Sequence, residues 1–192
     1  MYKKRLRKTI GMQIEKTKLA GCVVVTPKIV ADERGYFMES FRQSWMDSLS
    51  DFSGNFVQDN QSFSHYGTIR GLHFQTGEHA QSKLVRVIVG KILDIAVDLR
   101  KESQTYGQLI AIELSSENNH QLWIPKGFAH GFSVLSETAI VCYKCDSYYN
   151  KESEFGIYPL DKDLAIDWQL PKEKQRISEK DALLPTFNAI YK

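Results

Sequence analysis

The clearest alternation of hydrophobic and polar residues runs from residue 84 to residue 100. Its first half places three valines on one face of an extended chain: Val85, Val87 and Val89. Its second half continues an apolar face: Leu93, Ile95, Val97 and Leu99. Alternate side chains of a β-strand share a face, so the pattern predicts two strands, with Gly90-Lys91 as the type II′ turn of a hairpin. Asp94, Asp98 and Arg100 fall on the opposite, polar face.

Further short extended segments follow along the chain. They cover residues 22–25, 36–41, 56–64, 107–115, 121–124 and 138–149. A short helix is expected over residues 44–49, where Ser44 can cap the first turn, and residues 178–181 match a capping box. Many short strands joined by regular turns predict an all-β sandwich or barrel with a few short peripheral helices.

The segment 56–64 is unusual for a strand because it is rich in amides: Gln58, Asn60 and Gln61. Buried amides need hydrogen-bond partners. This strand therefore forms either the wall of a polar pocket or an exposed edge of a sheet, and the pattern alone leaves both interpretations open.

Composition bounds the class of protein. The 192 residues suffice for one domain with a real core, and no flexible or charged linker divides them, so a single domain over 1–192 is expected. With 25 basic and 23 acidic residues the net charge is only +2, which argues against nucleic-acid binding. The basic stretch within residues 1–10 is not followed by an apolar run, so it predicts a poorly packed tail rather than a signal peptide. No segment reaches transmembrane length.

The three cysteines favour a reducing compartment. Cys142 and Cys145 have the Cys-x-x-Cys spacing of redox and metal sites. They lie in an apolar, β-branched run, however, and no second ligand pair is present to complete a zinc site. We expect reduced thiols on a strand of a cytoplasmic protein.

The stretch from Arg70 to Lys83 concentrates chemically useful side chains. Strand alternation would place Arg70 on one face and His73 on the other. An inward His73 is either a satisfied core histidine or a base held in a pocket. A metal site is not predicted, because Gln75 stands two positions after His73 and His79 falls in a loop.

Metal-free acid–base chemistry remains, and each candidate group also has a structural interpretation. Tyr143 is either a phenolic proton donor or simply an aromatic residue of a strand. Lys83 either binds a substrate oxygen or is a solvent-facing residue at the start of a strand. Asp181 ends the capping box, so its default role is in the helix cap.

Eight motifs link these residues in order: RGYFME (34–39), RGLHFQ (70–75), QSKLVRV (81–87), DIAVDLR (94–100), QLWIPKGFAHGF (121–132), YKCDSYY (143–149), IDW (166–168) and SEKD (178–181). Together they resemble one family, the dTDP-4-dehydrorhamnose 3,5-epimerases of nucleotide-sugar metabolism. Order and spacing hold from about residue 21 to residue 187, and eight motifs in register are highly specific.

The resemblance implies a cupin-type jelly-roll β-sandwich, a homodimer, and catalysis without a metal or organic cofactor. It implies His73 as the catalytic base, Asp181 as the carboxylate that orients it, Tyr143 as the acid on the opposite face of the sugar, and Lys83 as a cation near the C4 oxygen. It further implies a set of residues that bind the nucleotide sugar: Arg34, Glu39, Gln58, Asn60, Arg70, His130, Tyr149, Glu154 and Lys180. Among these, the tyrosine would stack on thymine and the two arginines would bind diphosphate.

The activity implied is inversion of C3 and C5 of dTDP-4-dehydro-6-deoxy-D-glucose to give dTDP-4-dehydro-L-rhamnose, a precursor for cell-surface polysaccharide. A ketone at C4 acidifies the hydrogens on C3 and C5, so a neutral histidine can remove them. An epimerase that inverts only C3 or only C5 is the first alternative. A sugar 3,4-ketoisomerase and a non-catalytic sugar-binding cupin are the others. No nucleic-acid or membrane partner is expected.

Overall fold

A computed structural model describes residues 12–47, 49 and 54–190 of the chain. The strands are β1 (Met12–Lys16), β2 (Val23–Pro27), β3 (Ile29–Asp32), β4 (Gly35–Met38), β5 (Gln58–His65), β6 (Thr68–Gln75), β7 (Lys83–Val89), β8 (Lys91–Asp98), β9 (Leu109–Ser115), β10 (Gln121–Ile124), β11 (Phe128–Val134), β12 (Thr138–Cys145), β13 (Glu154–Gly156) and β14 (Arg176–Ile177). The helices are α1 (Gln43–Met46) and α2 (Glu179–Ala182). The predicted basic tail, residues 1–10, lies outside the described residues.

Two antiparallel sheets form the body of the fold. The first has the strand order β1-β2-β10-β7-β12-β5, and the second has the order β13-β6-β11-β8-β9, with β14 added parallel to β6. Apolar side chains from both sheets pack between them, among them Val85, Leu122, Ile92 and Phe132. The all-β jelly-roll sandwich predicted from the sequence is confirmed. In the part of the chain that is described, no helix is long and apolar enough to cross a membrane.

The predicted hairpin at Gly90 is wrong, although both of its strands exist. β7 belongs to the first sheet and β8 to the second, so the chain crosses between sheets at this glycine. Gly90 has φ +81°, and a Cβ there would lie 2.1 Å from the carbonyl oxygen of Thr138. Periodicity detects the two strands, but it does not show which sheet each strand joins.

Strand β8 is buried on both faces. Leu93, Ile95 and Val97 pack beneath a C-terminal segment that includes Trp168. The opposite face, predicted to be polar, points into the sandwich, and Asp94 and Asp98 on it are both fully buried. Each buried carboxylate is consequently hydrogen-bonded, Asp94 to a histidine and Asp98 to its own local network.

The first helix is shorter than the expected span of residues 44–49. Helix α1 begins at Gln43 after Arg42, whose side chain makes no cap hydrogen bond, so the predicted cap at Ser44 is wrong. At α2 the Ser178 hydroxyl accepts a hydrogen bond from the backbone N–H of Asp181, as the capping box predicts. The Asp181 carboxylate is hydrogen-bonded outside the cap, to His73 and to the backbone of Gly71.

Asp98 is the last residue of β8, and its carboxylate accepts several hydrogen bonds from the residues that follow it. Its carboxylate accepts from the backbone and guanidinium of Arg100 and from the hydroxyls of Ser103 and Thr105. Burial alone would raise the pKa of Asp98, but these hydrogen bonds outweigh it and lower the pKa to about 2. The ionised carboxylate is thus a stabilising element of the fold.

Replacing Asp98 with asparagine should lower the free energy of unfolding at pH 7 by about 2 kcal/mol. Because the folded-state pKa is depressed, this contribution is complete above the ordinary pKa near 4 and is lost as the pH falls towards about 2. Urea unfolding at several pH values measures it. The exposed control Glu78→Gln should change stability by less than about 0.5 kcal/mol. A gap between Asp98→Asn and wild type that stays constant down to pH 2 would contradict the assignment.

Candidate active site

A cavity of about 480 Å³ opens into the sandwich beside β6, β7, β11 and β12. Seven of the residues implied by the motifs line it: Arg70, His73, Lys83, His130, Tyr143, Lys180 and Asp181. Residues separated by more than a hundred positions in the chain thus meet at one site.

Strand register places Lys83 and Tyr143 on the inward face of the first sheet. Lys83 pairs with Cys145, and Tyr143 pairs with Val85, two residues further along β7. Positions two apart share a face, so both side chains enter the cavity. The Lys83 Nζ lies 5.8 Å from the centre of the Tyr143 ring.

On the opposite wall, Arg70 and His73 both enter the cavity, which corrects the prediction that they face opposite ways. Between these two residues β6 advances three positions, while β11 advances only two, from His130 to Phe132. A bulge of one extra residue reverses the alternation. The cause is local pairing, which strand periodicity does not reveal.

His73 and Asp181 form a hydrogen-bonded pair on this wall. The Nε2 of His73 donates to Asp181 Oδ1 at 2.7 Å, and the other carboxylate oxygen accepts from the backbone N–H of Gly71 at 3.3 Å. Burial alone would raise the pKa of Asp181, but the hydrogen bond from His73 and the other donors lower it. An ionised Asp181 holds the proton on Nε2, which leaves Nδ1 of His73 available to accept a proton.

Lys83 and Tyr143 show the effect of desolvation. Burial lowers the pKa of the Lys83 ammonium, because a charged form is less stable away from water. Burial also raises the pKa of the Tyr143 phenol, which keeps its proton in place. This wall of the cavity therefore offers a neutral proton donor next to a lysine.

His130 lines the same cavity and is bonded to an aspartate that the sequence reasoning missed. Its Nε2 donates to Asp94 Oδ1 at 2.7 Å, and both side chains are almost fully buried. Two signals in the sequence point to it: Asp94 is the first residue of the motif DIAVDLR, and it is an acidic residue between the apolar positions Ile92 and Ala96 on the same face.

A group of linked polar residues lies near the cavity. Glu154 accepts hydrogen bonds from the Tyr149 hydroxyl at 2.9 Å and from Lys180 Nζ at 2.8 Å. Burial would raise the pKa of Glu154, but these two donors lower it overall. Gln58, predicted to touch the nucleotide sugar, accepts from the Tyr149 backbone N–H at 2.8 Å and donates to Asn60.

Both interpretations of the amide-rich segment hold. Strand β5 is the edge of the first sheet, and its inward positions are all polar: Gln58, Asn60, Ser62 and Ser64. Ser62 lines the cavity, and the Ser64 hydroxyl accepts from Arg70 Nε at 2.9 Å. The strand is an exposed edge on one face and a pocket wall on the other.

Arg34 and Glu39 do not reach this cavity. Arg34 lies at the turn of the β3–β4 hairpin, pairs with Asp32 and has a side chain that is 84% exposed. Glu39 pairs with Arg42. Within the described residues, no group of three histidine, cysteine or acidic side chains is arranged to hold a metal ion.

Comparison with known proteins identifies relatives along most of the chain. Residues 16–189 match the family model described as dTDP-4-dehydrorhamnose 3,5-epimerase. The Salmonella typhimurium protein of that name is 48% identical over 180 residues, covering 92% of this chain and 96% of the relative.

Two solved structures are similarly close. The dTDP-4-dehydrorhamnose 3,5-epimerase of Elizabethkingia anophelis superposes with a TM-score of 0.89 at 49% identity, covering 93% of this chain and 97% of its own. The Legionella pneumophila dTDP-6-deoxy-D-glucose-3,5-epimerase was solved with dTDP-4-keto-L-rhamnose. It superposes with a TM-score of 0.89 at 48% identity, covering 93% of this chain and 94% of its own. The fold, the cavity and these matches agree, and the chain belongs to the dTDP-4-dehydrorhamnose 3,5-epimerase family.

Proposed function

We propose that the chain is an isomerase that inverts C3 and C5 of dTDP-4-dehydro-6-deoxy-D-glucose, giving dTDP-4-dehydro-L-rhamnose. The observation that carries the proposal is the opposition of the His73–Asp181 pair and Tyr143 across one cavity. The ligand named for the Legionella relative, dTDP-4-keto-L-rhamnose, is the product of that reaction and supports the choice of substrate.

Proton removal is assigned to His73. Its Nδ1 takes the proton from a carbon next to the C4 ketone, and the positive charge that develops on the ring is stabilised by Asp181 at 2.7 Å. The carbon–hydrogen electron pair moves into an enolate, so no separate electron acceptor is required. Because C3 and C5 flank the same ketone, one base serves both carbons if the sugar changes pose between steps.

The enolate charge develops on the C4 oxygen, and Lys83 is assigned to it. A fixed cation that interacts more strongly with the enolate than with the ketone lowers the barrier. The buried position of Lys83 strengthens this interaction, since little water competes for the charge.

Reprotonation from the other face is assigned to Tyr143. His73 projects from the second sheet and Tyr143 from the first, so the two groups approach a bound sugar from opposite walls. Inversion requires this arrangement, because a proton returned from the side of its removal restores the original configuration. The raised pKa of Tyr143 keeps it in the donor form.

The remaining residues are assigned to recognition of the nucleotide. Arg70 is a donor for the diphosphate, and Tyr149, half exposed near the cavity, offers a ring on which thymine can stack. Glu154 accepts a hydrogen bond from the tyrosine hydroxyl and is itself held by a hydrogen bond from Lys180. We assign Gln58 and Asn60 to support of this wall, since Gln58 binds the Tyr149 backbone.

A homodimer forms part of the proposal. The β3–β4 hairpin exposes large apolar side chains, with Val30 57%, Tyr36 60% and Phe37 70% accessible. Exposed apolar patches of this kind are typical of association surfaces. A second copy covering the hairpin would carry Arg34 and Glu39 towards a partner's cavity, which accounts for their distance from their own.

The three free thiols fit the reducing cytoplasm, where we place the protein.

Incubating the protein with the dTDP-keto-sugar in D₂O should introduce deuterium at both C3 and C5, which NMR of the sugar ring detects. Exchange at both carbons follows from removal of a proton on either side of the ketone. Entry at one carbon only would favour the C3-only or C5-only epimerase, and a carbonyl moved to C3 would favour the ketoisomerase. Entry at neither carbon would overturn the proposal and leave the non-catalytic cupin.

A further inference from the structure

His130, which lines the cavity, belongs to a second histidine–carboxylate pair with the same Nε2–Oδ1 distance as the first. His130 Nε2 lies 2.7 Å from Asp94 Oδ1, the same separation as between His73 Nε2 and Asp181 Oδ1. His130 and His73 are direct cross-strand partners on β11 and β6. Such partners have Cα atoms roughly 5 Å apart, so His130 lies beside the group assigned to remove the proton.

Asp94 is in a position where its charge must be compensated. The carboxylate is fully buried, and its neighbours on the same face of β8, Ile92 and Ala96, are also fully buried. Its Oδ2 has no hydrogen-bond partner among the described residues. A buried carboxylate is costly unless a cation pairs with it, and His130 is the group in direct contact with it.

The other titratable and charged groups that face the cavity with His130 are Arg70, His73, Lys83, Tyr143, Arg176, Lys180 and Asp181. Among these groups, Lys83 is a cation within electrostatic reach of Asp94. Burial lowers the pKa of Lys83, and the charge of Asp94 partly opposes that effect. Lys83 makes no hydrogen bond to Asp94, however, whereas His130 does. Charge-assisted hydrogen bonds are the stronger kind, so His130 is better placed than Lys83 to compensate the charge of Asp94.

We propose that Asp94 is a positioning residue that holds His130 as an imidazolium, so that His130 stabilises the enolate oxygen together with Lys83. With Nε2 bound to Asp94, Nδ1–H is the donor left for a substrate oxygen. Location beside His73 places this donor near the reacting carbons. The inference rests on the proposed function and deepens it by adding a second cation to the enolate site and a carboxylate that keeps it charged.

The protonation state of His130 is directly measurable in the unmodified protein. Nitrogen-15 NMR of histidine-labelled full-length protein at pH 7.5, without substrate, should show His130 with both ring nitrogens protonated. The signal is assigned by its loss in His130→Gln, among the five histidines of the chain. His73 should show a neutral ring in the same spectrum, because the second oxygen of Asp181 accepts a hydrogen bond from the backbone N–H of Gly71, whereas the second oxygen of Asp94 has no partner among the described residues. A neutral His130 overturns the inference, whether or not the protein proves to be an epimerase.

A double-mutant cycle tests whether Asp94 acts through His130. His130→Gln should lower kcat by about 10²-fold, and Asp94→Asn, which keeps the shape but removes the charge, by about 10-fold. KM should change less than about threefold in both variants, because the interaction strengthens only in the transition state. The double variant should be no slower than His130→Gln alone.

Two outcomes of the cycle would overturn the inference. Losses that multiply in the double variant would mean that Asp94 acts independently of His130. A raised KM with unchanged kcat would mean that His130 binds the nucleotide rather than the developing enolate. Thermal unfolding of each variant separates either result from a general loss of folded protein, and the NMR measurement on wild type needs no variant of Asp94 at all.

Discussion

His73→Asn should lower kcat by at least about 10³-fold and should leave the affinity for dTDP within about threefold of wild type. The asparagine cannot accept the proton from carbon at neutral pH, whereas the groups assigned to the nucleotide remain in place. Replacing the hydrogen-bonded partner of His73, in the variant Asp181→Asn, should also lower activity. The neutral amide neither holds the His73 tautomer that leaves Nδ1 free nor stabilises the charged His73 ring.

Turnover and calorimetric titration with dTDP measure these two quantities separately. His120→Asn is the matched control, since His120 lies in the turn before β10 and does not line the cavity. This control should retain wild-type kcat. Deuterium exchange that proceeds at the wild-type rate in His73→Asn would show that another group is the base, and loss of dTDP affinity would assign His73 to binding.

The sequence predicted the fold class because strand periodicity depends on local burial. Val85 and Val87 show which face of β7 is inward, and the structure places them in the core. Periodicity does not show how strands are arranged. The crossing at Gly90 depends on the sheets that the two flanking strands join, which is determined by contacts distant in sequence.

The cavity was predictable only in part for the same reason. His73, Lys83, Tyr143 and Asp181 do meet, and the motifs that identified them lie far apart in the chain. Three features depend on tertiary structure alone: the bulge that turns Arg70 inward, the burial of Asp94 on a strand that is covered on both faces, and the position of Arg34 on an exposed hairpin. Alternation identifies two faces of a strand but not what covers each of them.

Tyr143→Phe should separate proton removal from inversion. The phenyl ring preserves the shape of the wall but has no proton to donate, so we expect kcat for epimerisation to fall by about 10²–10⁴-fold. His73 and Asp181 are unchanged in this variant, so the enolate still forms. In D₂O the substrate should therefore gain deuterium with retained configuration, because the proton returns from the face of its removal.

The ratio of exchange to inversion is the measurement that decides the role of Tyr143, and NMR of the sugar gives both rates from one sample. Tyr66→Phe is the control, because Tyr66 lies in the turn between β5 and β6, outside the cavity lining. Equal loss of exchange and inversion in Tyr143→Phe would mean that the phenol supports enolate formation instead. Exchange and inversion both near wild type would mean that another donor, such as a water molecule, protonates the far face. Selective loss of inversion is expected because the base and the acid project from different sheets, so that each can be removed without displacing the other.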